Sequence, residues 1–311
     1  MATSNKSPRR YKTIYSTGWF QYYQKKIMNI AFLSVPFPGV RRIGEEGEKL
    51  NLWKFVLLEG NRIKIPSVDV CIFGAWHPLY SQLLGLRDKL GICWASSAGE
   101  MDMEPIEQEY LQRILQDPRI SFVWFGDQSL ASIYSEKGFY APYPLNAEHK
   151  GTQSGKRDIA TLFCPAGPKK NILNQLLAVK LVQREIKFTL HTNIEGYDGI
   201  LKELDCVRHN WLPDDEYRNL LAQSKVNLAV SWSETFSYQV AESALCGTCS
   251  LVSETIPVPG IVITNPNSPI EIAEKIIWAL ERPVLGEEYR LKVIAFAQKC
   301  NNFLREKLAI I

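Results

Sequence analysis

Two carboxylates eight residues apart, Glu234 and Glu242, lie in the run Ser233-Glu234-Thr235-Phe236-Ser237-Tyr238-Gln239-Val240-Ala241-Glu242-Ser243-Ala244-Leu245-Cys246-Gly247-Thr248. Ahead of them, residues 226–232 are mostly apolar and β-prone, as a buried parallel strand would be. Behind them, Val240, Ala241, Ala244 and Leu245 recur at helical spacing, and Gly247 stands where a helix end takes a left-handed residue. The pattern predicts a strand-to-helix turn. Glu234 falls in the loop at the strand's carboxyl end, with Glu242 roughly two helical turns further on. The expected helix start presents the backbone N–H groups of Phe236, Ser237 and Tyr238 to an anion. A polar grip beside an anion site is what a nucleotide-sugar needs.

The same run resembles the Glu-x7-Glu signature of retaining glycosyltransferases of the GT-B fold, the family-4 enzymes among them, usually written E-P-F-G-(x4)-E-A-(x2)-C-G-T. Glu234, Phe236, Glu242 and Cys246-Gly247-Thr248 match it, while Thr235 replaces the proline and Ser237 the glycine. The resemblance implies that Glu242 accepts hydrogen bonds from the donor ribose hydroxyls, a task suited to a carboxylate facing a vicinal diol. It implies that Glu234 meets the donor sugar beneath the reacting carbon without becoming an ordinary covalent nucleophile. The diphosphate oxygen would itself take the acceptor proton.

A second stretch, Cys164-Pro165-Ala166-Gly167-Pro168-Lys169-Lys170-Asn171, resembles the family's diphosphate loop G-R-(x3)-R-K-N. Lys170 and Asn171 fall on its lysine and asparagine and Lys169 on its variable basic position, but Pro165 occupies the arginine position. A proline cannot donate to phosphate, so a second cation has to come from elsewhere. Cations aimed at the leaving diphosphate are the strongest available lever on such a transfer. The expected catalytic residues are therefore Glu234 and Lys170, and the donor-binding set is Glu242, Phe236, Ser237, Tyr238, Lys169 and Asn171. No metal and no cofactor is expected, the nucleoside-diphosphate sugar being the donor substrate.

The first half offers His77, just past a strand end, with Gly44 and Ser97 as further candidates for the acceptor side. The histidine that many family members carry after the next strand is absent from Ser96-Ser97. His191 and His209 follow strand candidates of the second half and read as structural. Trp211-Leu212-Pro213 resembles a loop that approaches the nucleotide base, and Asp214-Asp215-Glu216 reads as an acidic first turn of a helix.

Strands at 29–34, 68–73, 92–96 and 122–125 alternate with helical segments at 79–89, 106–115 and 129–137. Residues 41–47 read as a polar loop and 50–58 as helical. After the polar run 146–157, strands recur at 159–164, 187–192, 226–231 and 250–253. This alternation predicts an α/β fold with two doubly wound Rossmann-like domains, and the resemblance implies that they face a cleft, as in GT-B. The expected organisation is an extension (1–27), an acceptor domain (28–145), a linker (146–157) and a nucleotide-sugar domain (158–286). A last helix (287–311) should cross back to the first domain.

With 311 residues, 46% apolar and 22% charged, the chain can bury two cores. A net charge of +3 gives no indication of a nucleic-acid partner. Seven unpatterned cysteines and the lack of an apolar leader suggest a cytoplasmic protein. Residues 1–27 carry Lys6, Arg9, Arg10, Lys12, Lys25 and Lys26 among aromatics and no acid. They read as an extension, the alternative being weak contact with an anionic membrane surface. The expected activity is retaining transfer of a sugar to the hydroxyl of an unspecified glycan, lipid or protein. The alternatives are a nucleotide-sugar-binding module without turnover and a sugar-nucleotide epimerase on the same fold.

Overall fold

The computed structural model describes residues 29–34, 38–58, 68–74, 90–103, 105–148, 155–164 and 167–310. His77, His149, Pro165, the helical segment expected at 79–89 and the extension 1–27 lie outside the described residues.

In the first domain β1 (Ile30–Ser34), β2 (Lys54–Leu57), β3 (Val70–Gly74), β4 (Leu90–Trp94), β5 (Ile120–Phe125) and β6 (Gly138–Tyr140) form one sheet in the order β2-β1-β3-β4-β5-β6. The second sheet comprises β7 (Ile159–Leu162), β8 (Thr189–Thr192), β9 (Cys206–Arg208), β10 (Val226–Ala229), β11 (Cys249–Ser253) and β12 (Ile261–Ile263), in the order β12-β11-β10-β7-β8-β9. Every pairing is parallel. Parallel strands need both faces covered, and β1, β3, β4, β7 and β11 are buried at every position. The expected α/β fold of two doubly wound sheets is present.

Two assignments of the first half are corrected. Residues 41–47 are not a loop but the middle of helix α1 (Pro38–Lys49). Gly44 and Gly47, which mimic loop signals, are packing notches. A Cβ on Gly44 would come within 2.3 Å of the Phe55 ring, and one on Gly47 within 1.9 Å of Trp53. The Trp53 indole N–H donates to the Gly44 carbonyl at 2.9 Å, which fixes the ring in that notch. Residues 50–58 are correspondingly a turn through Asn51, at φ 55°, followed by β2.

Helices α2 (Ala98–Met103), α3 (Pro105–Gln116) and α4 (Gln128–Ile133) complete the described part of the first domain. The second contains α5 (Ile172–Val182), α6 (Asp198–Leu201), α7 (Asp214–Gln223), α8 (Tyr238–Leu245) and α9 (Pro269–Leu280), with α10 (Leu285–Leu308) last. Helix α10 contacts the first domain. Asn301 accepts from the Leu145 N–H at 3.0 Å and returns its amide to the Leu145 carbonyl at 2.9 Å. Val293, Ala297, Leu304 and Leu308 share a hydrophobic cluster with Phe32, Trp53 and Trp124 of the first domain and Phe236 of the second. Among the described residues no helix is long and apolar enough to cross a membrane.

Helix α10 reaches that cluster by passing close to the turn after α8. An added Cβ at Gly286 would lie 1.8 Å from the Gly247 carbonyl oxygen. Gly286→Ala is expected to cost about 1–3 kcal/mol through overpacking. Gly199→Ala, in α6 with nothing within 4 Å of the new carbon, should be neutral or gain up to about 1 kcal/mol. Urea unfolding of the two variants checks this. Equal effects would remove the close approach of α10 from the account of the fold.

Candidate functional site

Strand order in the second sheet reverses between the neighbours β7 and β10: β8 and β9 continue on one side, β11 and β12 on the other. The chains leaving β7 and β10 therefore part in opposite directions and open a crevice beyond the carboxyl ends of the strands. Lys170 leaves β7 in a 3-10 turn (Pro168–Lys170), and Glu234 lies in the loop after β10. The sequence separates them by 64 residues, but here the Lys170 ammonium donates to Glu234 Oε2, with both side chains mostly shielded from water.

The two loops are locked together beneath this ion pair. Gln175, buried in α5, donates its amide to the Lys170 carbonyl at 2.8 Å and accepts from the Val230 N–H at 3.0 Å. The Trp232 N–H donates to the Lys169 carbonyl at 2.8 Å. The Lys169 ammonium shares the surroundings of Glu234 and Lys170, and burial lowers its pKa. Asn171 takes the left-handed conformation, φ 50°, that starts α5, and its amide donates to the Pro266 carbonyl at 2.5 Å. Its side chain thus joins two loops of the second domain.

Helix α8 begins at Tyr238, capped by Ser237, whose hydroxyl accepts from the Val240 N–H at 3.4 Å. The helix starts later than the sequence predicted, so Phe236 precedes the cap. Its ring is buried between Tyr143, Tyr238 and Phe296, which leaves the backbone of Phe236 as the part able to meet a ligand. The Tyr238 hydroxyl donates to the Pro144 carbonyl at 3.0 Å. A buried polar chain steers the helix from below: Gln239 donates to Asn227 Oδ1 at 2.9 Å, and Asn227 donates to Ser250 at 3.0 Å and accepts from Thr161 at 3.1 Å.

Glu242 follows on α8 and is held by Arg42 of helix α1, which donates to its Oε1 across the two domains. Burial pushes the Glu242 carboxyl above its ordinary pKa, and Arg42 is the largest influence opposing that rise. The end of α8 is tied down by its own motif. Gly247 is left-handed at φ 74°, and the Thr248 hydroxyl meets the Leu221 and Ser224 carbonyls while accepting from Lys156 at 2.8 Å. Cys246 and Cys249 are free thiols.

The carboxyl ends of the two sheets meet at this loop. The Thr235 hydroxyl donates to the Ala95 carbonyl at 2.9 Å, and Ser97 and Ser233 share a hydroxyl pair at 2.6 Å. Ser97 is therefore engaged with the loop that carries Glu234. Gly44 lies inside α1 under Phe55, at a packing position and not in the polar loop read for 41–47. Sequence reasoning missed Arg42, Gln175 and Asn227. Arg42 was hidden by the loop assignment of 41–47, and the other two are amides whose only signal is an apolar neighbourhood.

Trp211 is largely exposed ahead of α7, and Asp214, Asp215 and Glu216 form that helix's first turn as predicted. His191 and His209 are hydrogen-bonded ring to ring at 2.9 Å, with Phe163 beside His209. Among the described residues no group of three His, Cys, Asp or Glu side chains is placed to hold a metal ion.

A family model described as glycosyl transferase-like matches residues 169–298, the stretch that carries Lys170, Glu234 and Glu242. No curated protein sequence matches the chain significantly. Anabaena HepE, solved in complex with UDP-glucose, is similar in structure at TM-score 0.64 and 13% identity, over 90% of this chain and 100% of that one. A UDP-forming α,α-trehalose-phosphate synthase from Burkholderia xenovorans, solved with glucose-6-phosphate, gives TM-score 0.61 at 9% identity over 78% and 72% of the two chains. A glycosyltransferase from Rickettsia africae gives TM-score 0.56 at 13% identity over 91% and 97%. The fold is that of the GT-B glycosyltransferases.

The His191–His209 pair gives a pH test of this end of the second domain. Burial first, and the neighbouring His209 ring second, depress the His191 pKa. The unfolded chain therefore binds more protons than the folded one as pH falls through about 6.5, and stability is lost toward acid. The urea midpoint should fall between about pH 7.5 and 5, and His191→Gln should lessen that fall. An identical pH profile for both proteins would refute the assignment.

Proposed function

We propose that the chain is a retaining glycosyltransferase that moves a sugar from a nucleoside-diphosphate sugar to an acceptor hydroxyl without a metal ion. The observation that carries this reading is the Lys170–Glu234 ion pair at the strand-order reversal of the second sheet, one helix start away from Glu242. Cation and carboxylate lie where ligands bind in open parallel sheets. The glycosyl transferase-like match over 169–298 and the UDP-glucose complex of the Anabaena structure support a nucleotide-sugar donor.

In this reading the donor diphosphate lies against Lys170, with Lys169 close by, and adds its charge to a site built to hold a carboxylate. As the bond to the sugar breaks, negative charge grows on the leaving diphosphate, and the Lys170 ammonium stabilises it more in the transition state than in the ground state. Glu234, released from its ion pair with Lys170, faces the sugar and stabilises positive charge developing at its reacting carbon. Glu242 accepts from the ribose hydroxyls. The leaving oxygen takes the acceptor proton, so no protein base is required, and the sugar keeps its anomeric configuration. Hexoses are the expected class of transferred sugar. The acceptor is the hydroxyl of a glycan, lipid or protein, and a cytoplasmic setting belongs to the same proposal.

A panel of nucleotide sugars, assayed for nucleoside diphosphate release and product anomericity, tests the proposal. Glu234→Gln should lower turnover by about 10²-fold or more while changing nucleoside diphosphate affinity less than about threefold, as a group acting mainly in the transition state does. Lys170→Ala should lower both. Chelator should change neither. An inverted product or activity abolished by chelation would overturn the retaining, metal-free reading, and binding without release would favour a binding module.

A further inference from the structure

Helix α1 of the first domain and helix α8 of the second meet through one side chain. Arg42 and Glu242 are 200 residues apart in sequence, yet the Arg42 Nη2 donates to Glu242 Oε1. Arg42 is itself held from behind. Its Nε lies 3.3 Å from Glu46 Oε1, and its guanidinium carbon sits 5.9 Å from the centre of the Tyr238 ring. Glu46 is buried, takes Lys49 at 3.0 Å on the same oxygen and accepts from the Asn146 N–H at 2.6 Å on the other. Tyr238 is fixed in turn by Pro144. Glu46 and Tyr238 beside the guanidinium are thus fixed by hydrogen bonds of their own, while the Arg42 Nε is buried in charge contact with Glu46 but without a hydrogen bond.

We propose that Arg42 is a positioning residue for Glu242, supplied by the first domain to orient the carboxylate with which the second domain grips the donor nucleotide and to provide its counter-charge. The inference rests on the donor reading of Glu242 given above. Arg42 engages Oε1 alone, and no described residue donates to Oε2, while about one fifth of the side chain remains exposed. One oxygen is tied to the protein and the other is left for a hydroxyl.

The charges facing Glu242 identify Arg42 as the controlling one. From α1 come Arg42 and Glu46, from α7 Arg218, Asp214 and Tyr217, and from α8 itself Cys246. Arg218 is drawn away by Asp214 at 3.3 Å and Asp215 at 3.7 Å. Two further carboxylates and a buried site favour protonation of Glu242, and Arg42 is the cation in direct contact that opposes it. A protonated Glu242 would present a donor where the ribose diol needs acceptors.

Calorimetric titration with UDP, ADP and GDP, at about pH 8 and pH 6, separates positioning from mere structure. The parent should bind its preferred nucleotide with similar affinity at both pH values. Arg42→Gln should lose severalfold more affinity than the parent between them, because without the guanidinium the Glu242 carboxyl titrates at higher pH. Glu242→Gln should bind weakly at both pH values, and adding Arg42→Gln to it should cost nothing further. A loss in Arg42→Gln that is equal at both pH values and persists in the Glu242→Gln background would overturn the inference. Tighter binding by Arg42→Gln would also overturn it, by making Arg42 a competitor of the nucleotide. Parental binding by Glu242→Gln, or no binding of any of the three nucleotides by the parent, would sink the donor reading instead. A thermal-unfolding cycle of the same variants without nucleotide would then report whether the two side chains still couple. Coupling would leave a pairing confined to the fold, and additivity would remove the pairing as well.

Discussion

The reversal of strand order between β7 and β10 is the constraint from which the rest follows. Two adjacent parallel strands whose chains leave in opposite directions cannot close over their own carboxyl ends, so a crevice opens there. What the second domain brings to the site arrives by way of that gap: Lys170 on one lip, Glu234 on the other, and the start of α8 behind them. Holding the lips in register takes buried polar groups, since backbone N–H and C=O groups in the loops must be satisfied away from water. Gln175 does this for the Lys170 carbonyl and the Val230 N–H together. Each such bond contributes about 0.5–1.5 kcal/mol net, but an unpaired buried group would cost more, so the arrangement is held mainly by what its loss would leave exposed.

The second domain alone does not complete the site. The loop bearing Glu234 packs on the first domain through Thr235 and Ala95, and the carboxylate of Glu242 is in the grip of Arg42. Behind these polar contacts runs an aromatic chain. Phe32 stacks on Trp53 at 5.1 Å, Trp53 meets Trp124 at 5.9 Å, Trp124 meets Tyr143 at 5.5 Å, and Tyr143 meets Phe236 at 5.9 Å. Phe236 then reaches Phe296 of α10. The apolar members of the motif thus join the domains, while its carboxylates stay at the edge of that contact.

How much of this was legible in the sequence depends on burial. The interior strands β1, β3, β4, β5, β7, β8, β10 and β11 were all found, most of them as the continuous apolar runs that a strand covered on both faces requires. The four strands that were missed, β2, β6, β9 and β12, are the four sheet edges. They have three or four residues each and are partly exposed, so they carry no such run. Helix α1 was misread for a related reason. Gly44 and Gly47 signal a loop in one dimension and an aromatic notch in three, and nothing local separates the two. Glu234 and Glu242 stood out by type and spacing and Lys170 by the resemblance of its loop, whereas Arg42 depended on a helix not recognised and a contact 200 residues long.

The two positions at which the motif departs from the pattern it resembles are the ones where side-chain chemistry explains the substitution. A proline at 235 would supply no hydroxyl. Thr235 has one, and it reaches the Ala95 carbonyl of the first domain. A glycine at 237 would cap a helix only through its backbone, whereas Ser237 accepts from the Val240 N–H, which belongs to the first turn of α8. One hydroxyl fixes the loop to the first domain and the other fixes the helix to the loop. Both act on the segment between Glu234 and Glu242, so the distance and angle between the two carboxylates are set by these contacts as much as by their spacing in sequence. A rigid spacing matters only if a single ligand must touch both groups. The hydroxyls at 235 and 237 thus hold the relative placement of Glu234 and Glu242 on which the proposed use of one donor by both carboxylates depends.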